Sequence, residues 1–136
     1  MQVAPYLNFN GHCAEAFRMY EKCLGGKIVM MSTHGDSPMK DQVPPDWQDK
    51  VIHAVLQLGD NVIMGSDAPP SHYATPQGTS VSVSVSSAAD GERIFNELAQ
   101  GGKVTMPYGK TFWSTGFGML TDRFGTPWMV NCETPA

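Results

Sequence analysis

The chain has 136 residues, of which 41% are hydrophobic and 16% are charged, and its formal net charge is −4. This composition is typical of one globular domain with a buried core, and it excludes an intrinsically disordered protein. No Lys/Arg cluster indicates a nucleic-acid partner, and no apolar stretch approaches the roughly 20 residues that span a bilayer. The three cysteines lack paired spacing and the amino terminus lacks a signal-peptide pattern, so we expect free thiols and a cytoplasmic location.

The first half of the chain predicts the element order β-α-β-β-β. A helix is expected to begin at Asn10, whose side chain can cap the first turn, and its apolar residues recur at helical spacing as far as Leu24. The pair Gly25-Gly26 ends this helix, because a left-handed residue is favoured at that position. The β-prone runs that predict strands lie at 3–9, 27–33, 51–58 and 62–65.

The second half repeats this order and one phrase of its sequence. A helix capped by Ser86 or Ser87 ends at Gly101-Gly102, so AQGGKVTMP at 99–107 repeats the pattern of CLGGKIVMM at 23–31. The predicted strands lie at 80–86, 103–106, 115–122 and 126–132. One helix cannot cover both faces of four strands, whereas two modules that pack together can bury a shared core. We therefore predict a single domain over 1–136, with module one at about 1–66, a linker at 67–78 and module two at about 79–136.

Three stretches carry a resemblance to a known superfamily: PYLNFNGHCAEAFRMYEKCLGG at 5–26, HAVLQLGDNVIMGSD at 53–67 and TFWSTGFGMLTDRFGTPWMVN at 111–131. The chain resembles the vicinal-oxygen-chelate superfamily, which includes glyoxalase I, the bleomycin-resistance proteins and the extradiol dioxygenases. It is most similar to the PhnB-like branch. The resemblance implies an α+β fold in which two βαβββ modules form a curved mixed sheet with two main helices. It does not by itself imply one activity, because one fold serves many chemistries.

The resemblance also identifies four positions that hold a metal in the metal-dependent members. There the first and last strands of each module each supply one ligand, commonly His and Glu. In this chain those positions hold Tyr6 (or Pro5 or Asn8, by other alignments), Met64, Ser82 (or Ser80) and Met129. None of these side chains is a good ligand for a divalent cation. We predict that the protein binds no metal and uses no cofactor.

The same strands predict a cavity that binds a small molecule without a metal. Strict alternation over 80–86 puts the valines toward the helix and the serines toward the cavity, although a solvated strand edge would give the same pattern. Strand methionines supply adaptable apolar lining, or they fill the core. The residues predicted to bind the ligand are Tyr6, Asn8, Met64, Ser80, Ser82, Met129 and Trp113. This mixture suits a small apolar or aromatic molecule with one or two polar groups.

Catalytic candidates are few in this sequence. His53 could act as a general base, with Ser66 or Asp67 on the neighbouring strand, but a hydrogen-bonded strand histidine is the commoner case. The sequence contains no recognisable site for S-adenosylmethionine, so the methyltransferase name often given to PhnB-like proteins is not expected to describe it. Three functions therefore stay open: a metal-free binding protein, a superfamily enzyme with a non-standard site, and a structural dimer module with a filled cavity.

Two loops are expected to carry aromatic surface. The segment 34–50 is long for a structureless connection, a feature typical of lids and binding loops. The aromatic residues on this segment and on 107–114 are Trp47, Tyr108, Phe112 and Trp113. They are expected to contact a ligand, a partner subunit or both. We predict a two-fold homodimer whose interface includes residues near 107–116, the rival being a monomer whose 34–50 segment folds over the same surface.

Overall fold

The computed structural model describes residues 1–38 and 40–132, and the chain divides into two compact units, Met1–Ala74 and Thr75–Ala136. Each unit has the order β-α-β-β-β. Unit one contains β1 (Tyr6–Phe9), α1 (Cys13–Leu24), β2 (Lys27–Thr33), β3 (Val51–Leu58) and β4 (Asn61–Asp67). Unit two contains β5 (Val81–Val85), α2 (Ala88–Ala99), β6 (Lys103–Gly109), β7 (Gly116–Thr121) and β8 (Pro127–Cys132).

The two units have the same sheet topology. The strand orders are β1-β4-β3-β2 and β5-β8-β7-β6. In each unit the first strand pairs in parallel with the last, and the other pairs are antiparallel. The predicted α+β fold of two βαβββ modules is therefore confirmed. Among the residues that the structure describes, no helix combines the length and the apolar character needed to cross a membrane.

Helix α1 buries one apolar stripe against its own sheet. The stripe consists of Cys13, Ala16, Phe17, Tyr20 and Cys23, and the rings of Phe9, Phe17 and Tyr20 pack together with centroids 6.0–6.3 Å apart. The prediction that Asn10 caps this helix is wrong. The helix begins three residues later, and the amide of Cys13 donates to Asp67 Oδ1 at 2.9 Å. The first helical amide therefore donates to a carboxylate at the end of β4, and not to the side chain of Asn10.

Helix α2 is built as the sequence predicts. The amide of Asp90 donates to Ser87 Oγ at 3.3 Å, so Ser87 is the N-cap residue. Ile94, Phe95 and Leu98 form its buried stripe, and the apolar residues of the sheet that are buried in the same unit are Leu120, Trp128, Val130 and Cys132. At this helix, apolar periodicity predicted the buried stripe correctly, and capping chemistry predicted the N-cap residue correctly.

In both copies of the Gly-Gly-Lys phrase, each of the two glycines is required for a different steric reason. Gly25 and Gly101 have φ angles of +76° and +73°, which favour glycine over other residues. At Gly26, a Cβ atom would lie 2.6 Å from the carbonyl oxygen of Gln57, and at Gly102 it would overlap the backbone of the neighbouring strand. The first glycine therefore reverses the chain, and the second lets the next strand begin close to its neighbour.

We expect that replacing Gly25 or Gly101 by valine lowers the free energy of unfolding by about 1 kcal/mol or more, because a β-branched residue is strained at positive φ. Urea denaturation measures this change. Gly109→Val is the matched control, because φ there is not positive and a Cβ atom would have open space among the described residues. Unchanged stability of both variants would mean that the phrase has another cause.

The segment between β2 and β3 is held to unit one at both ends. The amide of His34 donates to the carbonyl of Lys50 at 2.8 Å, and the amide of Gly35 donates to that of Gln48 at 2.8 Å. Trp47 is only 8% exposed and packs edge-to-face on His34. The expectation that Trp47 contributes exposed aromatic surface is wrong, because its ring anchors the segment instead.

Candidate functional site

In unit one, side chains from all four strands align on the face of the sheet opposite α1. The register places Tyr6 beside Met64, Met64 beside Val55, and Val55 beside Met30. The next row contains more polar groups. We call these two rows open face one, and it comprises Tyr6, Asn8, Met30, Ser32, His53, Val55, Met64 and Ser66. All eight are exposed or half-buried, whereas the alternate strand residues pack toward the helix.

A tyrosine–histidine pair lies on open face one. The hydroxyl of Tyr6 is 3.0 Å from Nδ1 of His53, and the two rings are nearly parallel with centroids 5.7 Å apart. Because β4 lies between β1 and β3, the Tyr6 side chain reaches across that strand to make this contact. When Tyr6 donates to Nδ1, the imidazole proton lies on Nε2, and the pair then offers one donor and one acceptor to a ligand.

Unit two has the equivalent face. Ser82 lies beside Met129, Met129 beside Met119, and Met119 beside Met106. The following row contains Ser84, Asn131 and Phe117. We call these seven residues open face two. They are also exposed or half-buried, so both units present a face that combines thioethers with a few polar groups.

An aromatic shelf, which we define as Phe112, Trp113 and Phe117, extends open face two. Trp113 packs edge-to-face on Phe117 with centroids 5.3 Å apart, and Phe112 packs on Trp113 at 4.8 Å. Phe112 is 98% exposed and Trp113 is 50% exposed. The buried hydroxyl of Ser114 holds the base of the turn, since its Oγ lies 2.6 Å from the carbonyl of Gly116 and 2.7 Å from that of Cys132.

The predicted binding residues divide between these two faces. Open face one contains Tyr6, Asn8 and Met64 together with His53; open face two contains Ser82 and Met129. Trp113 belongs to the aromatic shelf. Ser80 lies one residue before β5 and is exposed. Tyr108, expected on the surface of its loop, is half-buried and donates to the carbonyl of Ala88 at 2.9 Å.

Sequence reasoning did not identify Asn131 or Phe117 as site residues. Both lie in register on open face two, and the side-chain oxygen of Asn131 is buried without a hydrogen-bond partner among the described residues. One signal could have found Asn131. It follows Met129 by two residues on a strand, so the two side chains must share a face.

The side chains at the four positions that the resemblance relates to a metal site do not fit a divalent cation. Tyr6 lies beside Met64 and Ser82 beside Met129, so each module offers one hydroxyl and one thioether. Carboxylate, imidazole and thiolate are the usual protein ligands for such ions. Among residues 1–38 and 40–132, no group of three or more His, Cys, Asp or Glu side chains is placed to hold a metal.

The cysteines are structural in this fold. All three are buried, and none forms a disulfide. Burial raises the pKa of the Cys13 thiol, and the nearby Asp67 carboxylate raises it further, so this thiol stays protonated and unreactive. Burial also raises the pKa of the Tyr108 hydroxyl, with Cys132 and Glu92 adding to the effect. These groups support the sheet and helices rather than supplying a nucleophile.

The chain is similar to known proteins over nearly its whole length. The family model described as the Glyoxalase/Bleomycin resistance protein/Dioxygenase superfamily matches residues 2–130. The Escherichia coli (strain K12) protein YjdN is 35% identical over 139 residues, which cover 96% of this chain and 95% of YjdN. A crystal structure of a Pseudomonas aeruginosa protein is 51% identical with a TM-score of 0.91, and 99% of each chain is covered.

A Bacillus cereus PhnB protein is also similar, and it carries the provisional name 3-demethylubiquinone-9 3-methyltransferase. It is 26% identical, with a TM-score of 0.81, and the match covers 97% of this chain and 99% of that one. Each of these matches includes both βαβββ units.

Proposed function

Because the chain belongs to the Glyoxalase/Bleomycin resistance protein/Dioxygenase superfamily, we propose that it binds a small apolar or aromatic molecule on its open faces without a metal ion. The observation that carries this proposal is the pairing of Tyr6 with Met64 and of Ser82 with Met129. The resemblance to metal-dependent members of the superfamily relates these pairs to the positions from which those members supply their metal ligands. A hydroxyl and a thioether can contact an apolar molecule, but they hold a divalent cation poorly.

The composition of the two faces supports the ligand class. Five methionines lie on them, and their flexible, polarizable chains adapt to apolar ligands; these are Met30, Met64, Met106, Met119 and Met129. Large apolar side chains are exposed there as well, including Tyr6 at 44%. Exposed apolar patches with a few polar groups are typical of ligand-binding surfaces.

Fluorescence titration of naphthalene into the purified protein tests the proposal. We expect saturable binding that is weakened about tenfold in Met64→Gln or Met129→Gln, because each change replaces an apolar contact by an amide that must lose its water. Val3→Gln is the matched control, since Val3 is exposed and lies outside the strands. Equal affinity in both methionine variants and the parent would contradict the proposal. A structural module whose faces are filled would bind no probe at all.

The Tyr6–His53 contact supports a second candidate function, acid–base chemistry on the bound molecule. Imidazole is the side chain that most often accepts and returns a proton in catalysis. In the tautomer whose Nδ1–H donates to the Tyr6 hydroxyl, that contact orients the ring and Nε2 can accept a proton from the bound molecule. Exchange of the methyl protons of acetophenone for deuterium provides a test. We expect His53→Gln to slow protein-catalysed exchange by about 100-fold and Tyr6→Phe to slow it less. If the parent protein exchanged the methyl protons no faster than buffer alone, acid–base catalysis would be contradicted and binding would remain as the proposed function.

We further propose that the protein is a cytoplasmic homodimer. Three cysteines that form no disulfide are typical of a reducing compartment. The exposed rings of Phe112 and Trp113 form the kind of aromatic anchor that is enriched at the centres of interfaces. The anchor lies within the region 107–116 predicted to pair.

We expect Trp113→Ala to weaken dimerisation by roughly 2 kcal/mol or more, because loss of a central aromatic anchor has effects of this size. Analytical ultracentrifugation across a concentration series measures the dissociation constant. Val3→Ala is the control, since it removes exposed apolar surface away from the shelf. A monomer mass for the parent at all concentrations would contradict the dimer. Equal dimerisation of Trp113→Ala and the parent would place the interface elsewhere.

A further inference from the structure

One polar group of open face two has no hydrogen-bond partner in the described part of the chain. The side-chain oxygen Oδ1 of Asn131 is buried, and no donor among residues 1–38 and 40–132 pairs with it. A buried oxygen left without a donor destabilises the folded state, and most such groups in proteins are paired. A hydrogen-bond donor on a bound molecule would satisfy this oxygen once the side chains that cover it move aside.

The surroundings of Asn131 are aromatic and uncharged. Its register partners are Phe117 on β7 and Ser84 on β5. The ring of Trp113 packs on Phe117, and Trp113 is half exposed, so the aromatic shelf extends from solvent to the register partner of Asn131. Met129 lies on the same face two residues away, and a thioether chain can change rotamer at little energetic cost to admit a ligand.

We propose that Asn131 and Phe117 form a subsite for a planar aromatic molecule that carries a neutral hydrogen-bond donor, such as a phenolic hydroxyl. The ligand ring packs on Phe117, and its O–H donates to Oδ1 of Asn131. The donor is neutral because Ser84 and Phe117, the register partners of Asn131, carry no charge that would balance a charged donor. This inference rests on the proposed function and narrows its ligand class.

The equivalent subsite of unit one has different chemistry. By register, Ser66 takes the place of Asn131 and His53 takes the place of Phe117. A histidine partnered by Tyr6 offers polar contacts where unit two offers an aromatic ring. The two faces therefore differ in selectivity. Asn96→Ala is the matched control for a change at Asn131, since Asn96 is exposed on α2 and lies outside both open faces.

The experiment compares naphthol with naphthalene, which share the ring system and differ in the hydroxyl donor. Dissociation constants are measured by fluorescence titration for the parent, Asn131→Leu, Asn131→Ala, Phe117→Ala and Asn96→Ala. We expect naphthol to bind the parent about tenfold more tightly than naphthalene, which is the effect of one hydrogen bond to an otherwise unpaired group. Both Asn131 variants should abolish this preference, and Asn96→Ala should keep it. Phe117→Ala should weaken both probes by a similar factor.

The outcomes separate this inference from the proposed function. Equal preference for naphthol in the parent and in the Asn131 variants would overturn the subsite while leaving apolar binding intact. Failure of either probe to bind the parent would contradict both. Removal of an unpaired oxygen should also leave the thermal midpoint of Asn131→Leu equal to or above that of the parent. A clearly lower midpoint in both Asn131 variants would show that the amide is paired within the native fold, and would count against the subsite.

Discussion

Replacement of Asp67 by alanine is expected to lower the free energy of unfolding by roughly 2–5 kcal/mol, because two buried amides lose their acceptor. Asp67 is 3% exposed. Its Oδ1 accepts from the amide of Cys13 and its Oδ2 accepts from the amide of Val51, each at 2.9 Å. One carboxylate thus joins the end of β4 to the start of α1 and the start of β3. Urea denaturation followed by circular dichroism measures the change.

Two further variants test whether the loss of stability in Asp67→Ala comes from the loss of its acceptor oxygens. Asp67→Asn keeps one acceptor oxygen but turns its NH₂ group toward the second amide, so we expect a loss smaller than that of alanine. Asp60→Ala removes an exposed carboxylate from the turn before β4 and should leave stability within about 0.5 kcal/mol of the parent. If Asp67→Ala were as stable as Asp60→Ala, the carboxylate would not organise unit one.

Replacement of Asp122 by alanine is expected to have a similar or larger effect in unit two, roughly 3–5 kcal/mol, because three donors lose one buried carboxylate. The amides of Phe124 and Thr126 donate to its Oδ1 at 2.9 and 3.0 Å. The indole Nε1–H of Trp128 donates to its Oδ2 at 2.8 Å. These bonds close the turn between β7 and β8 and fix the largest buried ring of that sheet.

Tryptophan fluorescence and urea denaturation together check the Asp122 prediction. We expect the emission of Trp128 to change in native Asp122→Ala, because the indole loses its acceptor. Asp122→Asn should be less destabilising, since one oxygen remains to accept. A native-like emission spectrum with parental stability would mean that the hydrogen bonds to Asp122 contribute little to the fold.

Local patterns were sufficient to predict most of the fold. The strands 27–33 and 51–58 were predicted with the boundaries that the structure has, because each is a continuous β-prone run bounded by turn signals. The paired glycines were predicted as helix ends, and positive φ at Gly25 and Gly101 explains them. Residue type and spacing alone determine such features.

Predictions failed where a residue distant in the sequence accepts the hydrogen bond that a local residue was expected to accept. Asn10 was expected to cap α1, but Asp67 satisfies the first helical amide from a position 54 residues away. Asp67 had been assigned to the linker because proline and glycine follow it, yet it ends β4 and is buried. Nothing in the local sequence distinguishes a carboxylate in a linker from one that ties three elements together.

The candidate site could be predicted only in part for the same reason. Alternation along one strand placed Tyr6 with Asn8, and the resemblance to known proteins indicated Met64 and Met129. The Tyr6–His53 hydrogen bond depends on register across β1, β4 and β3, which no single strand encodes. The unpaired oxygen of Asn131 likewise becomes evident only once its neighbours are in place.

Metal-independent binding is tested most directly by titrating naphthalene into protein dialysed against EDTA and into the same protein supplied with Zn²⁺, Ni²⁺ or Mn²⁺. The hydroxyl and thioether pairs Tyr6–Met64 and Ser82–Met129 predict the same dissociation constant in every sample, because none of the four side chains is a good metal ligand. Binding that disappears after EDTA treatment and returns with one of these ions would contradict a metal-free site.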